Sequence, residues 1–76
     1  MNTMKIFLTK GTKYFSARLQ MDLFGACIVM MATGDKTTGR AKIRSEVFAC
    51  PEDGQTYLEI LRYSKERNGY RIADFC

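Results

Sequence analysis

The chain has 76 residues and a formal net charge of +4, from twelve lysines and arginines against eight acids, with neither histidine nor tryptophan. Chains of this length bury only about 60% of their unfolded surface, which leaves room for one domain and one modest core. Hydrophobic and charged fractions of 46% and 26% exclude the disordered class, and the longest uninterrupted apolar run, Ala26 to Ala32, is far below the roughly 20 residues a membrane-crossing helix needs.

The first ten residues carry one early lysine, Lys5, and an apolar patch that breaks at Thr9-Lys10. They lack the long apolar core of a signal peptide, so a cytoplasmic location is the expectation. Met4, Ile6 and Leu8 alternate with other residues as a short first strand. A second, stricter alternation follows, with Phe15, Ala17, Leu19, Met21 and Leu23 on one side and Tyr14, Ser16, Arg18, Gln20 and Asp22 on the other. That period of two is a half-buried strand, one face core and one face wet. Asp22 to Gly25 reads as a short turn, and Ala26 to Ala32, apolar on both sides, as a central strand. Gly34 to Gly39 is a polar hairpin loop. Alternation then resumes, with Ala41, Ile43, Ser45 and Val47 facing one way and Arg40, Lys42, Arg44 and Glu46 the other.

Cys50-Pro51-Glu52-Asp53 opens a helix, proline sitting at a first helical position and two acids where the helix dipole favours them. Tyr57, Leu58, Ile60 and Leu61 form its apolar stripe, Arg62, Lys65 and Arg67 complement its C-terminal end, and Asn68-Gly69 stops it. The tail from Tyr70 to Cys76 alternates briefly and is expected to pack on the sheet edge. The sum is an α+β fold over residues 1–76, a single domain with an antiparallel sheet of about four strands and one helix packed on one face.

Catalysis finds little support. The commonest general base and metal ligand is missing altogether. Glu52 and Asp53 are better explained by the helix dipole than as an acid/base pair. Cys27, Cys50 and Cys76 form no CxxC pair and no even set, which points to reduced thiols, with Cys27 in the core, rather than to a disulfide framework or zinc site. No phosphate-binding glycine loop is present. The reading is therefore of a protein that is not an enzyme and uses no metal or cofactor. Nor does anything indicate a small-molecule substrate or a membrane partner.

The charges are more informative. Arg18 on the second strand and Arg40, Lys42 and Arg44 on the fourth are expected on the face away from the apolar one, with Lys36 in the adjoining loop. Such a cluster attracts phosphates and releases counterions, giving sequence-blind, salt-dependent binding. Wet strand faces also carry lysine and arginine for solubility and edge protection, with no ligand involved.

In chain order, Asp22-Leu23-Phe24-Gly25, the apolar run Ala26 to Ala32, Thr33-Gly34-Asp35, Thr38-Gly39-Arg40 and Lys65-x3-Gly69-Tyr70 resemble a WGR domain, over residues 14–71. The resemblance implies an α+β plan and a role in binding DNA ends or strand breaks, as a small bacterial module. The Trp-Gly-Arg triplet that names the family reads Thr33-Gly34-Asp35 here. Threonine cannot stack on a terminal nucleotide, and aspartate repels phosphate, so the family's end-recognition mode is not carried to Thr33 or Asp35. What the resemblance does carry is Gly34 as a loop former, Arg40 and Lys42 as backbone contacts, and Lys65, Gly69 and Tyr70 as the helix-end motif.

Two functions stay open. One is weak, sequence-independent nucleic-acid binding to duplex DNA, its ends or nicks, through Arg18, Lys36, Arg40, Lys42 and Arg44. The other is interaction with another protein or a second copy of the chain, through the Thr33-Gly34-Asp35 loop or an exposed strand edge near Met4 to Leu8.

Overall fold

The structure is a computed structural model and describes residues 4–75. Five strands and one helix follow in the order β1 (Met4–Lys10), β2 (Lys13–Met21), β3 (Cys27–Asp35), β4 (Ala41–Phe48), α1 (Pro51–Arg67) and β5 (Arg71–Phe75). They make one open sheet in the spatial order β4-β3-β2-β1-β5, antiparallel at every pairing. The tail expected at the sheet edge is the fifth strand, one more than the periodicity resolved, because its alternation is only five residues long. Its partner is β1 from Ile6 to Thr9, so Ile6 to Leu8 is paired on both sides and is not a free edge, while Met4 and Lys5 pair with β2 alone. Cys76 lies outside the described residues.

Helix α1 crosses one face on its way between the two sheet edges. That face holds Ile6 and Leu8 of β1, Phe15, Ala17 and Leu19 of β2, and Cys27, Val29 and Met31 of β3, all buried, together with Leu58 of the helix. The register confirms that these residues share a side, since Ile6 faces Ala17, Leu8 faces Phe15, Ala17 faces Met31 and Leu19 faces Val29. The expected core of the first three strands is therefore the observed one as far as Leu19. Leu23 is not part of it. The Asp22 carboxylate accepts hydrogen bonds from the amides of Phe24 and Ala26 at 2.8 and 2.9 Å, which ends the strand early and leaves Leu23 and Phe24 at 99% and 93% exposure on the turn.

The helix begins at Pro51 with Glu52 and Asp53 in its first turn and Lys65 and Arg67 in its last. Gly69, at φ +96°, supplies the left-handed residue that lets the chain reverse, and Tyr70 N–H donates to the Lys65 carbonyl at 3.0 Å. The stripe is narrower than its sequence implies. Leu58 is buried, Tyr57 and Leu61 are half-buried, and Ile60 points to solvent.

Strand β4 reverses its expected facing. Its register sets Phe48 opposite Cys27, Glu46 opposite Val29, Arg44 opposite Met31 and Lys42 opposite Thr33, so the charged set lies on the helix side. Ala41, Ile43, Ser45 and Val47 lie on the uncovered side, Ile43 and Val47 well exposed. The charged residues tolerate the helix side because β4 is the sheet edge, and only its end, where Phe48 stacks at a tilt on Tyr57 with centroids 5.1 Å apart, is packed by α1.

Candidate nucleic-acid interface

The sheet face opposite α1 is covered by no element among the described residues. Its side chains come from the alternate positions of the five strands, among them Lys5 and Phe7 on β1, Tyr14, Ser16 and Arg18 on β2, Ile28, Met30 and Ala32 on β3, the outer set of β4 and Arg71 on β5. Phe7 and Tyr14 stack with centroids 5.9 Å apart and planes 13° from parallel. Lys36, in the β3–β4 turn, brings its Nζ to 5.9 Å from the Phe7 centroid, within cation–π range. Tyr14 also lies directly across from Gly34, where a Cβ would stand 2.6 Å from its hydroxyl oxygen and 2.5 Å from the Arg40 carbonyl oxygen. Gly34 is therefore a strand residue without a side chain because an aromatic ring and a neighbouring backbone occupy that space. It is not a loop former: Thr33, Gly34 and Asp35 are the last three residues of β3.

One row further along, Lys5 and Arg18 are directly opposed across β1 and β2. Like charges so placed repel, and neither forms an ion pair among the described residues. The Arg18 guanidinium instead points its Nη2 at the Met30 sulfur, 3.8 Å away. Lys5, Arg18, Met30 and Ile43 border a shallow depression of about 220 Å³.

The five basic residues read from the sequence as one surface are thus divided. Arg18 and Lys36 belong to the uncovered face. Lys42 and Arg44 sit on the other side of β4, and Arg40 precedes that strand at the turn. Arg40 and Lys42 join Lys13, Thr33, Asp35 and Tyr70 around a second, open cleft of about 620 Å³ at the end of the β3–β4 hairpin. Asp35 does not present a free carboxylate there. Its Oδ1 accepts from the Thr37 hydroxyl and, at 2.8 Å, from the Thr37 amide, and these bonds hold its carboxyl below the usual aspartate range. It fastens the turn. The helix-end motif is equally structural: Lys65 Nζ stands over the rings of Phe15 and Tyr70, 4.9 and 5.2 Å from their centroids.

The aromatic pair is the part of this surface that charge counting misses. Its signal is nonetheless in the chain, since Phe7 and Tyr14 both occupy positions that alternation assigns to the wet side. No group of three or more cysteine, aspartate or glutamate side chains able to hold a metal occurs among the described residues, and no helix is long and apolar enough to cross a membrane.

No protein-family model, curated protein or solved structure matches the chain.

Proposed function

We propose that this protein is a non-catalytic binding module that takes nucleic acid on the uncovered face of its sheet. The observation that carries the reading is the coincidence, on one unprotected face, of a stacked aromatic pair with Lys36 at its rim and the cations Lys5 and Arg18 beside it. Cations neutralise phosphates irrespective of sequence, while aromatic rings offer a stacking surface to any base or sugar. The resemblance to WGR domains points the same way, with the altered triplet removing the family's own stacking and charge contacts at Thr33 and Asp35. Affinity on the order of 10⁻⁴ to 10⁻⁶ M at physiological salt is expected.

Fluorescence anisotropy of labelled single-stranded, blunt duplex and nicked duplex oligonucleotides at two salt concentrations tests the reading. Replacing Arg18 and Lys36 by alanine should weaken binding and lower the salt slope by about two, close to one for each phosphate left without its cation. Replacing Arg40 and Lys42, which removes the same charge from elsewhere, should leave the slope nearly unchanged. Equal losses in both double variants, or no binding by the native chain at low salt, would overturn it.

A further inference from the structure

The two edges of the sheet are built differently. Strand β5 is five residues long and its pairing with β1 is interrupted by a register shift. Strand β4 is eight residues long, pairs with β3 without interruption over its whole length, and contains no proline. Short, bulged or proline-bearing edges resist pairing with other chains, and a long regular edge invites it.

The direction of the free backbone groups on β4 follows from its pairing. Asp35 N–H donates to the Arg40 carbonyl at 3.0 Å, in the same register as the ladder that continues it. Hydrogen-bonded and non-hydrogen-bonded pairs alternate in an antiparallel ladder. Lys42, Arg44 and Glu46 therefore turn their amides and carbonyls toward β3. Ala41, Ile43, Ser45 and Val47 turn theirs outward, unpartnered.

From this we infer that β4 is a self-complementary edge and that the protein forms a two-fold dimer by antiparallel pairing of β4 with β4 of a second copy, centred on Ser45. Only outward-turned residues can face each other as hydrogen-bonded pairs, so the symmetric registers that pair at least two outward residues of each strand centre on Lys42, Ile43, Arg44, Ser45 or Glu46, and centring on Lys42 sets that lysine against itself. Centring on Ile43 sets Lys42 against Arg44 twice. Centring on Arg44 sets that arginine against itself, and centring on Glu46 does the same with the glutamate. Centring on Ser45 alone avoids every like-charge contact, setting Arg44 against Glu46 twice on the helix side and Ile43 against Val47 twice on the other. The charged pairs fall at non-hydrogen-bonded positions, where opposite residues approach most closely, about 4.5 Å between Cα atoms. Neither Arg44 nor Glu46 has an ion-pair partner within its own chain among the described residues. Ile43 and Val47, 74% and 68% exposed in the single chain, gain apolar neighbours. Facing pairs at 43, 45 and 47 would supply about six main-chain hydrogen bonds. The dimer is one continuous sheet of ten strands with both helices on the same side, and it does not depend on the nucleic-acid reading.

Sedimentation equilibrium of the whole chain across a concentration series tests it by charge exchange. Arg44→Glu alone and Glu46→Arg alone each place like charges opposite and should weaken the dimer about tenfold or more. An equimolar mixture of these two variants should recover the native affinity as a heterodimer, because each supplies the charge the other now needs. The double variant Arg44→Glu/Glu46→Arg should also recover it, whereas a register centred on Arg44 would not be rescued. A native chain that stays monomeric up to about 1 mM, or a dimer indifferent to the single reversals, overturns the inference. So does a dimer weakened by both reversals but restored by neither the mixture nor the double variant. Circular dichroism of each variant separates lost pairing from lost folding, and the double variant keeps the native composition.

Discussion

Gly54 stands where the first turn of α1 meets the sheet, buried, with Cys27 Sγ in the space a Cβ would need and Leu19 Cδ1 3.3 Å from it. Alanine ordinarily improves a helix interior over glycine by about 1 kcal/mol. Here the added methyl would push a packed thiol and a core leucine, and overpacking of that kind costs about 1–3 kcal/mol. Gly54→Ala is therefore expected to lower the urea midpoint instead of raising it. In the Cys27→Ala background the same change should cost less, since the sulfur it strikes is gone, and a double-mutant cycle on the two positions measures that coupling. Gly34 belongs to the same class. Both glycines look in the chain like punctuation or weak helix, because the reason for each is a contact with a residue far along the sequence, Cys27 for one and Tyr14 for the other.

At the scale of elements, the local signals were legible and the facing of one strand was not. Strict alternation marks β2, a proline with two acids marks the start of α1, and Gly69 marks its end, all properties of a few consecutive residues. For β4, alternation separates Ile43 and Val47 from Lys42, Arg44 and Glu46 without saying which set looks toward the helix. The apolar set invites the inward reading. The choice is made by the register with β3, and β3, apolar on both sides, has no wet face to betray the answer. The same lack of long-range information explains the width of the helix stripe. A period of 3.6 admits Ile60, but the sheet beneath presents only enough surface for Leu58, with Tyr57 and Leu61 at its flanks. Leu58→Ala should therefore cost about 2–5 kcal/mol in chemical denaturation, while Ile60→Ala, at 59% exposure, should stay within about 0.5 kcal/mol. Comparable losses at the two positions would mean that α1 buries a different face. The facing of the cations is half legible for the same reason as β4: alternation and loop position put Arg18 and Lys36 on the side away from the helix, where they lie, whereas Lys42 and Arg44 follow β4 to the helix side and Arg40 precedes the strand.

For the molecule as a whole, a single layer of helix over a single sheet gives a slab, 38 × 23 × 17 Å, in which a buried group can meet solvent only if the helix leaves the sheet. Cys27 is such a group. It is fully buried under Gly54, and burial first, with the neighbouring Cys50 adding to it, pushes its thiol above the ordinary cysteine range. A thiol reagent needs both access and the thiolate, and the folded state denies Cys27 both. In a variant with Cys50 and Cys76 replaced by serine, labelling of Cys27 should run about 10³-fold or more slower than in the urea-unfolded chain, because it waits for opening on the scale of global stability. The linkage has a definite sign. A thiol whose folded pKa is raised stays protonated in the native state over a range where the unfolded chain has already released its proton, so unfolding releases a proton there and stability falls as pH rises. That contribution is fully present below the unfolded thiol's pKa and is lost as pH climbs toward the folded one. The urea midpoint of the native chain should accordingly drop more steeply above the ordinary thiol range than that of Cys27→Ala, which starts lower but lacks the titrating group. Parallel slopes would show that Cys27 reaches solvent without the helix lifting, and fast labelling in the folded state would show it independently.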